Sequence, residues 1–121
     1  MSPKVKVTPE QLRQAVSAVG EWLRGGVEPP RAEVAAAVRA SARYLSQIAP
    51  GHSVELRIPP YVAVQCIEGP RHTRGTPPNI FESSPRAWLE LVIGVPVSEE
   101  PQLSGHRAPE ILGYLPLVRL L

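Results

Sequence analysis

A small α/β domain, with helices covering a sheet, is the fold this sequence predicts, and three observations predict it. Apolar residues recur at helical spacing in two long segments before residue 50. Two strand-like segments follow, residues 53–58 and 61–67, and they lead into one long polar loop at 68–79. Fifteen prolines in 121 residues stand between the apolar segments, often paired as Pro29-Pro30, Pro59-Pro60 and Pro77-Pro78, and so read as element boundaries.

Residues 1–7 are polar enough to fray. Thr8, Pro9 and Gln11 form a capping-box pattern for a first helix. Its apolar stripe is Leu12, Ala15, Val16, Val19 and Leu23, and Gly25-Gly26 ends it. Pro29-Pro30 opens a second helix with Val34, Val38, Ala42 (or Ser41), Leu45 and Ile48 on one side and Arg31, Arg39 and Arg43 elsewhere; Pro50-Gly51 stops it. Trp22 and Tyr44 are expected to be half-buried.

Residues 53–58 alternate, with Val54, Leu56 and Ile58 on one face and Glu55 and Arg57 on the other, which marks a strand with one wet face. Residues 61–67 are apolar on both faces apart from Gln65, so this strand is expected to be the more buried, central one. Pro59-Pro60 between them cannot make a two-residue hairpin turn that needs positive φ; a wider turn, a cis Pro60 or a bent continuous strand are the choices.

Beyond the loop, 79–82 reads as a short strand. Ser83 or Ser84 caps a third helix with Pro85 in its first turn, Trp88, Leu91 and Val92 on its buried side and Gly94 at its end. Residues 95–102 read as loop, 103–105 as a short strand, and Pro109 opens a last short helix. The end, 115–121, is too apolar for a solvated tail: it packs back on the domain or meets a partner.

Composition narrows the function. The length fits one domain over residues 1–121. A net charge of +2 does not suit general nucleic-acid binding. No apolar run reaches the ~18 residues of a membrane span, so no stable membrane insertion is expected. A single cysteine, Cys66, and no targeting signal suit the cytoplasm.

The loop holds Arg71, His72 and Arg74 between Gly69 and Gly75. Two guanidiniums and glycine-permitted amides suit a phosphate or carboxylate. The favoured competing reading is that Arg71 or Arg74 pairs with Glu68 or Glu82 and braces a rigid turn. No His or Cys pair has metal-ligand spacing. Cys66 lies in an apolar strand, where a thiol is buried and inert, and Glu99-Glu100 reads as solvated loop. No catalytic residue, metal or cofactor is therefore assigned. Val62, Val64, Phe81, Trp88 and Leu91 either line an apolar cavity or fill a core; packing grounds favour the filled core.

Several of these residues carry a resemblance. Pro59-Pro60 before an aromatic, Ala63-Val64-Gln65, the run from Gly69 through Arg71-His72-Thr73-Arg74 to Asn79, and Trp88-Leu89 after a proline resemble the bacterial, chiefly actinobacterial, sterol carrier family proteins. Ser104-Gly105, Arg107-Ala108 and Tyr114-Leu115-Pro116-Leu117 fit the family's closing segment. The resemblance covers roughly residues 28–118. It implies an α+β fold, a curved and mainly antiparallel sheet covered by helices. By analogy of fold it implies non-enzymatic carriage of a lipid, acyl chain or other hydrophobic molecule. Val62, Val64, Phe81, Trp88 and Leu91 would then line the site, and Arg71, His72 and Arg74 would hold an anionic head group at its rim. The alternative is an interaction or accessory module with a filled core, a homodimer through the apolar C-terminus.

Overall fold

The computed structural model describes residues 6–69 and 79–120. Arg71, His72 and Arg74 lie outside the described residues. Thr8 caps α1 (Pro9–Ser17) through the reciprocal bonds its sequence promises: the Gln11 N–H donates to Thr8 Oγ1 at 3.1 Å, and the Thr8 N–H donates to Gln11 Oε1 at 3.0 Å. The helix does not run on to Gly25. Val19, at φ −109° and ψ 2°, breaks it, and α2 (Gly20–Leu23) is a separate turn. Val19-Gly20 is a weak helix-forming pair, and the redirection lets Leu12, Val16, Val19 and Leu23 all be buried.

Next comes α3 (Arg31–Ile48), which buries Val34, Ala37, Val38, Ser41, Ala42 and Leu45 between α1, α4 and the sheet. The sheet has the order β2-β1-β3-β4, with β1 (Val54–Ile58), β2 (Val62–Cys66), β3 (Ile80–Glu82) and β4 (Gln102–Ser104). Its β1–β2 and β3–β4 pairings are antiparallel; β1–β3 is parallel, with Glu55 opposite Ile80 and Leu56 opposite Phe81. The sheet is therefore mixed.

The expected strand order is corrected in one respect. The inner strand is β1, whereas β2 lies at the edge, with Ala63 and Gln65 exposed and Val62 and Val64 half-buried. Alternation in β1 records that one face of the whole sheet is wet; it says nothing about position in the sheet. The β2 edge is covered by α3: Ser46 Oγ donates to the Gln65 carbonyl at 2.9 Å, and Arg39 Nε donates to the Tyr61 carbonyl at 3.2 Å. The Pro59–Pro60 and Leu115–Pro116 peptide bonds are cis.

At the start of α4 (Pro85–Ile93), Ser84 Oγ accepts from the Ala87 N–H at 3.2 Å; Gly94 closes the helix at φ 80°. Trp88 and Val92 are buried as expected. Leu91 is only half-buried, while Ala87, Leu89, Glu90 and Ile93 are buried too.

A 3₁₀ helix (Ala108–Tyr114) follows β4, and the chain then packs back on the domain. The Leu117 and Val118 N–H groups both donate to the Val92 carbonyl, at 2.8 and 3.1 Å. Arg13 donates to the Arg119 carbonyl at 3.1 Å, and Arg24 donates to that of Leu120. Val118 joins the core, and Leu115, Leu117 and Leu120 pack half-buried against it. The apolar end is thus covered from within the chain as far as Leu120.

Candidate functional site

Register decides what the predicted lining residues face. Ile58 is opposite Val62, and Leu56 is opposite both Val64 and Phe81, so these side chains share the helix-covered face. From α4, Trp88 meets Phe81 edge-to-face, ring centroids 6.2 Å apart at 78°. Its Nε1 donates to Ser41 Oγ at 2.8 Å, and that hydroxyl donates to the Ala37 carbonyl at 2.7 Å. Phe81 and Trp88 have zero exposed area, so no void large enough for water touches either ring. The structure thus brings Val62, Val64, Phe81 and Trp88 to one interface. Where the two rings meet, the side chains themselves fill it. Val62, Val64 and Leu91 are the half-buried members of the set.

The polar loop is anchored by residues that the sequence reading did not single out as a site. The Asn79 side chain donates to the Ser53 carbonyl at 2.8 Å and accepts from the Arg107 N–H at 3.0 Å. Arg107 Nη2 donates to the Glu68 carbonyl at 2.9 Å, and its Nε donates to Glu110 at 2.7 Å. Arg107 therefore ties Glu68 and Asn79, the two ends of the loop, to the 3₁₀ helix. The predicted pairings of Arg71 or Arg74 lie outside the described residues. The hydrogen bond from Arg107 holds the Glu110 carboxyl below the usual carboxylate range. The only sequence signal for the clamp is that Asn79 and Arg107 both fall in the family-like segments.

At the loop's start Ile67 adopts φ 69°, unusual for a β-branched residue. Its carbonyl accepts from both the Ser53 N–H (3.1 Å) and the Ser53 hydroxyl (2.7 Å). The neighbouring Cys66 is buried with Sγ 3.7 Å from the Val54 carbonyl, and burial pushes its thiol up to about 12. At neutral pH it is no thiolate nucleophile. Among the described residues no three His, Cys, Asp or Glu side chains gather as metal ligands, and no helix is long and apolar enough to cross a membrane.

Open clefts lie elsewhere among the described residues, two of them notable. The larger, about 280 Å³, lies at the start of α4 and is walled by Pro59, Ser84, Pro85, Glu82, Glu99 and Glu100, among others. Three carboxylates make it unsuited to an apolar or anionic guest. The second, about 170 Å³, lies between α1 and the returning C-terminal segment. Leu12, Tyr44, Leu117 and Val118 line it, with Pro9, Glu10 and Arg13 beside them. Leu12 and Val118 belong to the main core, so this apolar cleft opens directly onto it.

No curated protein matches the chain. Residues 30–117 match the protein family described as the bacterial SCP ortholog, a span that runs from the start of α3 past the 3₁₀ helix and takes in the whole sheet, and the chain thereby belongs to this bacterial sterol-carrier-protein-like family.

Proposed function

We propose that the protein binds and carries an apolar small molecule, such as an acyl chain, and that the guest is received at the seam between α1 and the C-terminal segment. The observation that carries this reading is the apolar cleft over the core, at Leu12, Tyr44, Leu117 and Val118. Its volume of about 170 Å³ is below the roughly 300–1,000 Å³ of ordinary ligand pockets, so loading widens the seam. The family match leaves out α1, α2 and residues 118–120. One side of the seam, α1, thus lies outside the matched span, whereas Tyr44 and Leu117 lie within it. A guest at the interface of sheet and helices would meet the half-buried Val62, Val64 and Leu91, whereas Phe81 and Trp88 would have to part to admit it. Arg71, His72 and Arg74 are proposed to hold an anionic head group, on residue chemistry alone.

Native mass spectrometry of the purified protein, with long-chain fatty acid titrated against tryptophan fluorescence, tests the reading. A saturable response is expected, weakened when Leu117→Trp fills the cleft. No retained guest and no saturable response would reject it. A second reading, a partner-binding accessory module, is favoured by the closed contact of Phe81 with Trp88. It predicts a stable homodimer or partner complex in sedimentation and no apolar guest.

A further inference from the structure

Along the edge of the sheet, α3 carries three exposed arginines, Arg31, Arg39 and Arg43. Arg31 and Arg39 are separated by about 12 Å of helix. Even so, their guanidinium carbons lie 5.5 and 5.9 Å from the centroid of the same ring, that of Tyr61. The ion pairs among the described residues are Arg57–Glu55, Arg86–Glu90 and Arg107–Glu110, so no described carboxylate neutralises either cation. Glu33, in the same turn as Arg31, joins none of them. Arg39 uses Nε on the Tyr61 carbonyl. Its terminal nitrogens, the whole Arg31 fork and the Tyr61 hydroxyl have no hydrogen-bond partner among the described residues.

Stacking on an aromatic occupies the face of a guanidinium and leaves its in-plane N–H donors pointing outward. Arg31 also opens α3, whose first turn has no side-chain cap. The partial positive charge of an uncapped helix start adds to that of the two side chains. The result is two guanidiniums gathered at one ring, with unused donors and excess positive charge. A tetrahedral oxyanion with several acceptor oxygens matches such forks better than a single carboxylate does.

We infer that Arg31, Arg39 and Tyr61 form a binding site for a phosphate group. The group comes either from a soluble phosphate or from a phospholipid head group. The site does not depend on the apolar-ligand reading.

Two measurements on the full chain test it at low salt. In the first, inorganic phosphate is titrated while the arginine side-chain Nε–H resonances are followed by NMR. In the second, the protein is co-sedimented with phosphatidylcholine vesicles with and without phosphatidylglycerol. The variant R31Q/R39Q is compared with K6Q/R119Q, which removes the same charge elsewhere, and urea midpoints confirm that both are folded. The site predicts that R31Q/R39Q loses about tenfold or more in affinity for phosphate or for the anionic vesicles, while K6Q/R119Q stays close to wild type. Saturable phosphate shifts at Arg31 and Arg39 without vesicle pelleting support a soluble source. Pelleting that R31Q/R39Q abolishes supports a head group. Equal behaviour of the two double variants, or no response in either measurement, overturns the inference.

Discussion

Glu90 offers the sharpest test of how the helix layer is held. It is 3% exposed, yet three donors satisfy it: Arg86 Nε at 3.0 Å, the Ser98 N–H at 2.7 Å and the Ser98 hydroxyl at 2.8 Å. Arg86 also lies 5.1 Å from the Trp22 ring centroid and donates to the Trp22 carbonyl. The carboxylate therefore ties α2, α4 and the segment after α4 together. Removing one partner of a fully buried ion pair costs about 3–5 kcal/mol. Here the Arg86 side chain is 34% exposed and Ser98 is on the surface, so both regain water when Glu90 is lost. Glu90→Ala is then expected to cost about 2–3 kcal/mol, near the value of lost charge-assisted bonds. Arg86→Met is expected to cost at least as much, because it strands the more deeply buried charge. Together they should cost less than the sum of the two. Urea unfolding followed by tryptophan fluorescence measures all three. A Glu90→Ala protein within about 0.5 kcal/mol of wild type, or strictly additive variants, would refute the reasoning.

Further outcomes follow from the same structure. Cys66, its thiol pushed up to about 12 by burial, should resist alkylation at pH 8 in the native protein and react once urea unfolds it; rapid stoichiometric labelling of the folded form would contradict this. Gly51→Ala should destabilise by on the order of 2–3 kcal/mol, since φ is 149° and a Cβ there would overlap the Ile67 carbonyl, whereas Gly113→Ala, which meets nothing, should be tolerated. Glu110 has a folded-state pKa below the ordinary value of about 4.3, so its contact with Arg107 stabilises above that value and is lost as pH falls through the depressed one. A carbon-detected NMR titration should show this lowered midpoint, and Arg107→Gln should raise it; a midpoint at or above the peptide value would count against the clamp.

What could be read from the chain was what local chemistry decides. Thr8 with Gln11, and Ser84 with Pro85, announce their helices because a cap is complete within four residues. The wet face of β1 is equally local. Position in the sheet is not, and β2 was misplaced because α3 covers its edge with Ser46 and Arg39, residues that carry no strand signal. The Glu90 network had half a signal, the Arg86-to-Glu90 spacing of a helical ion pair. Ser98, its other partner, lies in a segment without period. The loop clamp joins Glu68, Asn79 and Arg107 across 39 residues, and no periodicity records such a contact. Register and the edge-to-face contact bring Val62, Val64, Phe81 and Trp88 to one interface. How far that interface is filled depends on how Phe81 and Trp88 meet.

That meeting also bears on where a guest would find room. Parting the sheet from α4 exposes two aromatic rings that have no exposed area now, at about 1.5–3 kcal/mol or more for each. It also forfeits about 0.5–1.5 kcal/mol of edge-to-face contact between Phe81 and Trp88. Parting the α1 seam exposes the aliphatic side chains of Leu12 and Val118 and the already half-covered Leu117, and strains the surface bonds of Arg13 and Arg24 to the Arg119 and Leu120 carbonyls, but it separates no aromatic pair. The seam is the less costly opening. Arg24→Gln, which loosens it without touching the core, should therefore speed or strengthen binding of a fatty acid about severalfold. Ser41→Ala, which frees the Trp88 N–H, should leave binding unchanged while lowering stability by about 1–2 kcal/mol. If Ser41→Ala enhances binding and Arg24→Gln does not, the guest enters between the sheet and α4, through Phe81 and Trp88.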